Sequence, residues 1–138
     1  MVKLTKEDKE LIRKAVALVH RKKDGNFESG SVACALLTDK NNIYTGVCID
    51  TSSSMGFCAE HNAIGSMISN KEYKIKKIVA VWKDKKTGEI YIFSPCGRCR
   101  EFMYQINKEN LNTKVILDKD KVLKLKELLP YAGWSKKQ

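Results

Sequence analysis

A short apolar run in the first third of the chain constrains the fold more than any other feature of the sequence. Residues Val32 to Leu37 include no polar side chain. Side chains on a strand point alternately to the two faces of its sheet, so a strand that is apolar throughout has to be covered on both faces. We therefore predict a central sheet with helices packed on either side, rather than a sheet with one face in water.

Helix and strand patterns alternate along the rest of the chain. Thr5 and Asp8 form a capping-box pattern at the start of a first helix, which we expect to end near Lys23 because a turn signal follows. Further helical segments are predicted over 59–70, 95–107 and 125–129. Five strands are predicted, over 32–37, 43–49, 75–82, 89–94 and 113–117. This alternation indicates an α/β fold, and the hairpin of the first two strands makes the sheet mixed.

Size and composition indicate one globular domain over residues 1–138. The length of 138 residues is usual for one domain, and neither an internal repeat nor a linker divides the chain. With 43% hydrophobic residues, the chain is too apolar to be disordered. No apolar run approaches the roughly 20 residues of a membrane helix, and the charged N-terminus is unlike a signal peptide. We expect a soluble, cytoplasmic protein with no membrane partner.

The chain is strongly basic, with 26 Lys and Arg residues against 16 Asp and Glu and a net charge of +10. Such a balance is one mark of a nucleic-acid-binding protein. However, the lysines are interleaved with acidic residues along the whole chain, and no arginine-rich tract or aromatic-studded basic strand is present. The pattern therefore favours a solvated lysine-rich surface and a protein without a nucleic-acid partner. Trp82 is predicted to pack in or beside the sheet rather than to stack on bases.

Two short segments contain the residues with the most specific chemistry. Cys58-Ala59-Glu60 and Pro95-Cys96-Gly97-Arg98-Cys99 together match the signature of zinc-dependent deaminases, in its three-cysteine form. Cys96 and Cys99 are three residues apart, so they share one face of a helical turn. All three thiols are expected near helix N-termini, where the helix dipole favours thiolates. The odd number of cysteines, five in total, also disfavours a disulfide framework.

Three thiolates can hold zinc tetrahedrally and leave the fourth position open for catalysis. Such a centre has a net negative charge, and Arg98, between two of the ligands, is the candidate to hydrogen-bond the sulfurs. Glu60 is the candidate general acid and base, provided that Cys58 lies at the helix edge so that the two side chains converge.

Other roles for these residues are open from the sequence. The three cysteines could hold a structural zinc with His61 as the fourth ligand, although that leaves Glu60 and Pro95 unexplained. Glu60 could simply complement the dipole of a helix, and Arg98 could be a solvated surface residue. Cys34 is expected to be a small buried side chain in the first apolar strand.

The two motifs resemble those of the small cytidine deaminases and, more closely, those of the blasticidin S deaminases. The resemblance extends from Ser31 to Trp134 and includes the front hairpin and the Glu127–Pro130 segment. It implies a three-layer α/β/α fold with a mixed five-stranded sheet. It also implies one Zn²⁺ per subunit and a homotetramer with active sites at subunit contacts. The implied reaction is hydrolytic deamination of a 4-aminopyrimidine nucleoside to the 4-oxo form, with release of ammonia.

The chain departs from cytidine deaminases where they bind ribose. Their second strand carries Asn-x-Glu, whereas this chain has Cys48-Ile49-Asp50, and Gly30 occupies the position of an aromatic residue. Cys48 lacks the donor and acceptor of an amide, and Asp50 is one methylene shorter than Glu. We therefore expect altered sugar recognition, with Ser31, Cys48 and Asp50 as candidate substrate contacts.

This departure favours a resistance-type enzyme that acts on the antibiotic blasticidin S. The alternative within the family is a cytidine or deoxycytidine deaminase of pyrimidine salvage. Two other functions are also open: a deaminase that edits polynucleotides, and a non-catalytic zinc-stabilised binding module.

Overall fold

The structure, a computed structural model that describes residues 3–133, 135 and 137–138, contains seven strands and four α-helices over those residues. The strands are β1 Lys22–Asp24, β2 Phe27–Thr38, β3 Ile43–Asp50, β4 Ile75–Lys83, β5 Ile90–Phe93, β6 Lys114–Asp118 and β7 Lys121–Lys124. The helices are α1 Lys6–Leu18, α2 Ala59–Ser69, α3 Gly97–Ile106 and α4 Leu125–Leu128, with a 3₁₀ turn over Lys108–Asn112.

All seven strands belong to one mixed sheet. β2 pairs antiparallel with β3 along one edge and with β4 along the other. The far edge of β4 pairs antiparallel with β5 and, further along, parallel with β6. β1 and β7 extend the sheet through antiparallel pairing with β2 and β6. The predicted mixed sheet is therefore confirmed.

The apolar run in β2 is buried on both faces, as predicted. Ala33, Ala35 and Leu37 pack with Leu11 and Ala15 of α1. On the opposite face, the neighbouring β2 residues pack against α2 and α3, in a cluster that includes Cys34, Leu36, Ala63, Ile64 and Met103. The two clusters lie on opposite sides of the sheet because successive side chains of a strand point in opposite directions. The result is the expected α/β/α arrangement.

The predicted count of five strands was wrong, because the sheet has seven. The two extra strands are short edge strands. β1 consists of exposed Lys22, Lys23 and Asp24, which have no apolar pattern and become a strand only by pairing with residues 27–29. β7 is four residues long and folds back on β6 as a hairpin.

The first helix ends at Leu18 and not near Lys23, as the sequence had indicated. Val19 takes an extended conformation, and the N–H of His20 donates to the carbonyl of Gly30 on β2. The third helix begins at Gly97, two residues after the predicted Pro95, with Cys96 as its N-cap. The earlier end of the first helix follows from the contact between His20 and Gly30, which a local sequence pattern does not contain.

A buried ion pair fastens α1 to the sheet. The Nζ of Lys77 on β4 lies 2.7 Å from Oδ1 of Asp8 and 2.9 Å from Oε1 of Glu7. Asp8 also accepts the N–H of Thr5, and Thr5 Oγ1 accepts the N–H of Asp8, which completes the predicted capping box. In the part of the chain that the structure describes, no helix is long and apolar enough to cross a membrane. Trp134 lies outside the described residues.

Candidate active site

The first turns of α2 and α3 bring three cysteine sulfurs together. Cys58 is the N-cap of α2, Cys96 is the N-cap of α3, and Cys99 lies in the first turn of α3. Their Sγ atoms all lie within 4.8 Å of one another, and those of Cys96 and Cys99 are 3.7 Å apart. The two sequence motifs, although distant along the chain, therefore form one cluster.

The sulfur geometry fits zinc. With Zn–S bonds of about 2.3 Å, two ligands of a tetrahedral ion are separated by about 3.8 Å, close to the spacing of Cys96 and Cys99. Burial raises the pKa of Cys58 and, most strongly, that of Cys99, so these thiols need a cation to become thiolates. Burial also acts on Cys96, but hydrogen bonds from the backbone N–H groups of Cys99 and Arg98 and from the neighbouring thiols together outweigh it and lower the Cys96 pKa. The donor set can thus hold one metal ion with a fourth position open.

Glu60 lies beside this cluster in the first turn of α2. Cys58 has an extended backbone conformation as N-cap, which resolves the difficulty that residues two apart in a helix do not share a face. Only 6% of Glu60 is exposed, and this burial raises the pKa of its carboxyl group. A carboxyl group that is buried next to a metal site and holds a proton more readily than usual is suited to proton transfer.

His61, which follows Glu60 on α2, contacts the sulfur of Cys99. Its Nδ1 lies 3.4 Å from Sγ of Cys99, and its ring stacks on Phe102 with centroids 4.4 Å apart. Arg98 is exposed and lines the adjacent cleft, but within the described residues its side chain forms no hydrogen bond to the three sulfurs. The assignment of Arg98 to the sulfurs stays a prediction.

The cluster forms one wall of an open cleft of about 390 Å³. Seven of the eight residues singled out from the sequence line it: Ser31, Cys48, Asp50, Cys58, Glu60, Cys96 and Arg98. The eighth, Cys99, is buried behind them. Sγ of Cys48 lies 3.2 Å from Oγ of Ser31 and accepts the N–H of Val32 at 3.4 Å. Cys48 and Ser31 therefore form one polar edge of the cleft.

The sequence analysis missed two aromatic residues of the cleft. Phe57 and Phe93 line it and remain 37% and 43% exposed. Their positions next to the two motifs, Phe57 immediately before Cys58 and Phe93 just before Ser94-Pro95, were the available signal.

Arg100 was also missed as a positioning residue. Its guanidinium donates to the carbonyls of Pro95 and Leu128 and to Ser94 Oγ, which holds the turn before α3 in place.

Residues 5–114 match the sequence profile of a family described as the cytidine and deoxycytidylate deaminase zinc-binding region. The chain belongs to this family. The matched region contains both cysteine motifs. The resemblance found in the sequence is therefore confirmed at the level of the family.

Curated relatives include both kinds of deaminase that the motifs resemble. The chain is 30% identical to a cytidine deaminase of Mycoplasma genitalium over 101 residues, which cover 72% of this chain and 74% of that protein. It is 32% identical to a blasticidin-S deaminase of Bacillus cereus over 104 residues, with coverage of 72% and 73%. Because the two sequence identities are similar, they do not show on which of the two substrates this chain acts.

The fold has close counterparts among solved structures. The cytidine deaminase of Mycobacterium leprae superposes with a TM-score of 0.71 at 25% identity, covering 92% of this chain and 99% of that one. The cytidine deaminase of Burkholderia pseudomallei has the same TM-score at 24% identity, with coverage of 94% and 100%. The sheet and flanking helices are therefore those of cytidine deaminases.

Proposed function

We propose that the protein is a zinc-dependent hydrolase that converts a cytosine-type nucleoside to its uracil form and releases ammonia. The observation that carries this proposal is the position of Glu60, which is buried beside three converging cysteine sulfurs and faces the same cleft. A structural zinc site has no need of such a carboxyl group. Membership of the zinc-binding deaminase family supports the same reaction.

Cys58, Cys96 and Cys99 would hold one Zn²⁺ per subunit. When bound, the ion polarises the attacking water and lowers its pKa. Glu60 accepts a proton from that water as the new C–O bond forms at C4 of the ring, and passes the proton to ring nitrogen N3. Glu60 then transfers a second proton from the new hydroxyl group to the exocyclic amino group. The C4–N bond breaks, and ammonia and the 4-oxo ring are the products.

The rest of the cleft supports a flat ring carrying a polar substituent. Phe57 and Phe93 offer apolar surface to a pyrimidine, and we assign the sugar to Ser31, Cys48 and Asp50, which line the same cleft. Cys48 is already engaged by Ser31 and Val32 and has no amide to offer to ribose hydroxyls. This favours a blasticidin S deaminase specificity, whereas the likeness to the cytidine deaminase of Mycoplasma genitalium supports the alternative, a cytidine or deoxycytidine deaminase.

The experiment is ammonia release from cytidine, deoxycytidine and blasticidin S by the zinc-loaded protein, with the Glu60→Gln variant as control. We expect the variant to retain zinc and to lose about 10³-fold of its turnover, because glutamine keeps the shape but transfers no proton. Faster turnover of blasticidin S than of cytidine supports the resistance-type specificity, and the reverse order supports the salvage alternative.

Two results would contradict this proposal. The first is full activity of Glu60→Gln, which would remove the assigned acid–base role. The second is a protein that binds one zinc but turns over none of the three compounds, since this is the behaviour of a non-catalytic zinc-stabilised module. Zinc content is measured in every sample so that absent metal is not mistaken for absent activity.

A further inference from the structure

A second cavity lies on the side of the sheet that α1 covers, away from the starts of α2 and α3 where the cysteines converge. It has a volume of about 490 Å³ and is bordered by the start of α1, by β4, by the β6–β7 hairpin and by α4. Within the described part of the chain, no residue lines both this cavity and the cleft at the cysteines. The proposed reaction therefore gives this cavity no role.

Lysines dominate the lining of this cavity, which we call the hairpin cavity. Val122 and Leu123 give it apolar surface. Two carboxylates, those of Asp8 and Glu127, line it together with five lysines: Lys3, Lys77, Lys114, Lys124 and Lys126. Part of the net charge of +10 is therefore concentrated in one concave site, and such a site attracts anions.

Three of these lysines form a row across the sheet. Lys114 on β6 is the register partner of Lys77 on β4 and, on its other side, of Lys124 on β7. Register partners on adjacent strands point to the same face, and Lys77 points to the α1 face, where it meets Asp8. The row therefore directs three ammonium groups to one face of the sheet, at strand separations of about 4.8 Å.

Ion pairs neutralise the first lysine of this row. Lys77 is paired with both Asp8 and Glu7 of α1. Among the described residues, Lys114 and Lys124 take part in none of the ion pairs, and both are exposed. Like charges directly opposite each other on paired strands destabilise a sheet. The β6–β7 hairpin thus carries an unfavourable pair of cations, and a bound anion compensates such a pair.

The two carboxylates of the hairpin cavity are already engaged. Asp8 accepts hydrogen bonds from Nζ of Lys77 and from the N–H of Thr5. Oε2 of Glu127 accepts the backbone N–H of Lys124 at 2.8 Å. Neither contact brings a carboxylate to the ammonium groups of the hairpin, so these groups stay available to a ligand.

The length of the lysine row indicates the chemistry of the ligand. From Lys77 to Lys124 the row crosses two gaps between strands, which is roughly 10 Å. A single phosphate ion is too short to contact lysines along that distance, whereas a linear chain of two or three phosphates is long enough. Lys3 and Lys126 add two further exposed cations to the same cavity.

We propose that the hairpin cavity is a binding site for an oligophosphate group, that is, two or three phosphates in a chain. Lys114 and Lys124 contact the phosphates as point charges. Val122 and Leu123 offer apolar surface to the remainder of the ligand where the phosphate chain belongs to an organic ester. The site is independent of the proposed deaminase reaction, because neither its residues nor its test involves turnover.

Titration calorimetry with sodium tripolyphosphate and the zinc-loaded protein tests the site. In Lys114→Gln/Lys124→Gln the affinity should fall about tenfold, since each exposed charge contact changes affinity up to about fivefold. Lys114→Arg/Lys124→Arg keeps both charges and should keep most of the affinity. Unchanged affinity in the glutamine variant would overturn the proposal. Zinc content is measured before and after each titration, because phosphate chains also chelate metal ions.

The matched control is Lys22→Gln/Lys23→Gln. It removes the same charge from β1, an exposed strand at the opposite end of the strand order from β7. The affinity for tripolyphosphate should stay unchanged in this control. An equal loss in the two glutamine variants would assign binding to the overall field of a basic protein and overturn the cavity.

Two further probes define the ligand. Adenosine triphosphate that binds more tightly than tripolyphosphate supports an organic ester resting on Val122 and Leu123, and binding no tighter supports the inorganic chain. Orthophosphate at the same ionic strength should bind much more weakly, because it reaches fewer lysines. Orthophosphate that binds as tightly as tripolyphosphate would show recognition of a single phosphate and overturn the oligophosphate proposal.

Thermal unfolding gives an independent readout. Tripolyphosphate should raise the Tm of the wild-type protein, because a ligand that binds only the folded state stabilises it by mass action. Without anion, Lys114→Gln/Lys124→Gln should unfold at a slightly higher temperature than wild type, since the repulsion between the two lysines is gone. A lower Tm would contradict that repulsion. A single-stranded oligonucleotide that binds far more tightly than tripolyphosphate, with a steep salt dependence, would assign the cavity to a polynucleotide backbone and overturn the proposal.

Discussion

Within the described residues, His61 contacts a sulfur of the cysteine cluster, whereas the Arg98 side chain forms no hydrogen bond to it. A centre with three thiolates has an excess of negative charge, and the sequence pointed to Arg98 for its compensation. The structure places Nδ1 of His61 3.4 Å from Sγ of Cys99 and stacks the ring on Phe102, which holds its orientation. A protonated Nδ1 in this position donates to the thiolate and reduces its charge.

We expect His61→Phe to release zinc to a chelator about 10- to 100-fold more readily, because the ring shape is kept while the donor is lost. In the cobalt-substituted protein, the sulfur-to-cobalt absorption band should move to lower energy. His61→Asn keeps a side-chain N–H near the same position and should restore most of both properties. Failure of His61→Asn to restore them, with a change in cobalt coordination number, would instead make His61 a direct ligand and the site structural.

The backbone geometry at Gly30 explains why the aromatic residue expected at this position is absent. Its φ is +78°, and a Cβ there would lie 2.1 Å from the carbonyl oxygen of His20. The carbonyl oxygen of Gly30 accepts the N–H of His20, and this hydrogen bond brings the end of α1 against β2. Any side chain would break this contact, so the aromatic residue of related deaminases has no room at this position.

Among the elements, α1 depends on a buried charge. Asp8 is almost inaccessible and lies 2.7 Å from Lys77 of β4, which is 6% exposed. Burial alone would raise the pKa of Asp8, but the hydrogen bonds from Lys77 and Thr5 lower it below its usual 3.8. A depressed pKa means that the charged carboxylate stabilises the fold above that value, and that this contribution is lost as the pH falls through the lowered pKa.

Asp8→Asn should therefore reduce the free energy of unfolding by about 2 kcal/mol near neutral pH, since the buried Lys77 loses a charged partner. The difference from wild type should begin to shrink below about pH 4, where the carboxyl group of the unfolded chain takes up a proton, and should disappear as the pH falls through the lowered pKa of folded Asp8. Urea unfolding at several pH values measures this difference in the free energy of unfolding. Glu10→Gln, which breaks only the exposed pair with Arg13, should have little effect. A pH-independent loss in Asp8→Asn would show that the charge is not the cause.

At the scale of the whole molecule, the candidate active site is a cleft that is open to solvent. Phe57 and Phe93 line the cleft and are more than one third exposed, and exposed apolar surface beside a cleft is a common mark of a contact with another molecule. We propose that neighbouring subunits cover them in a homotetramer, as the family resemblance implies.

We therefore expect light scattering to give the mass of four chains. Phe93→Glu should dissociate the assembly, because a buried unpaired charge at an interface is strongly unfavourable, and turnover should fall with it. Ile43→Glu introduces the same charge at the far end of β3, away from the cleft, and should leave the mass unchanged. A single-chain mass for the active wild-type enzyme would exclude the tetramer.

The sequence by itself determined the central strands, the two zinc motifs and the family. These features are local: the apolar run of β2 is buried on both faces wherever it lies, and Cys96 and Cys99 share a helical turn by their spacing. Only the tertiary structure decided the rest. β1 has no strand pattern of its own and forms because β2 offers a free edge, and the contact of His61 with Cys99 exists because α2 and α3 begin side by side.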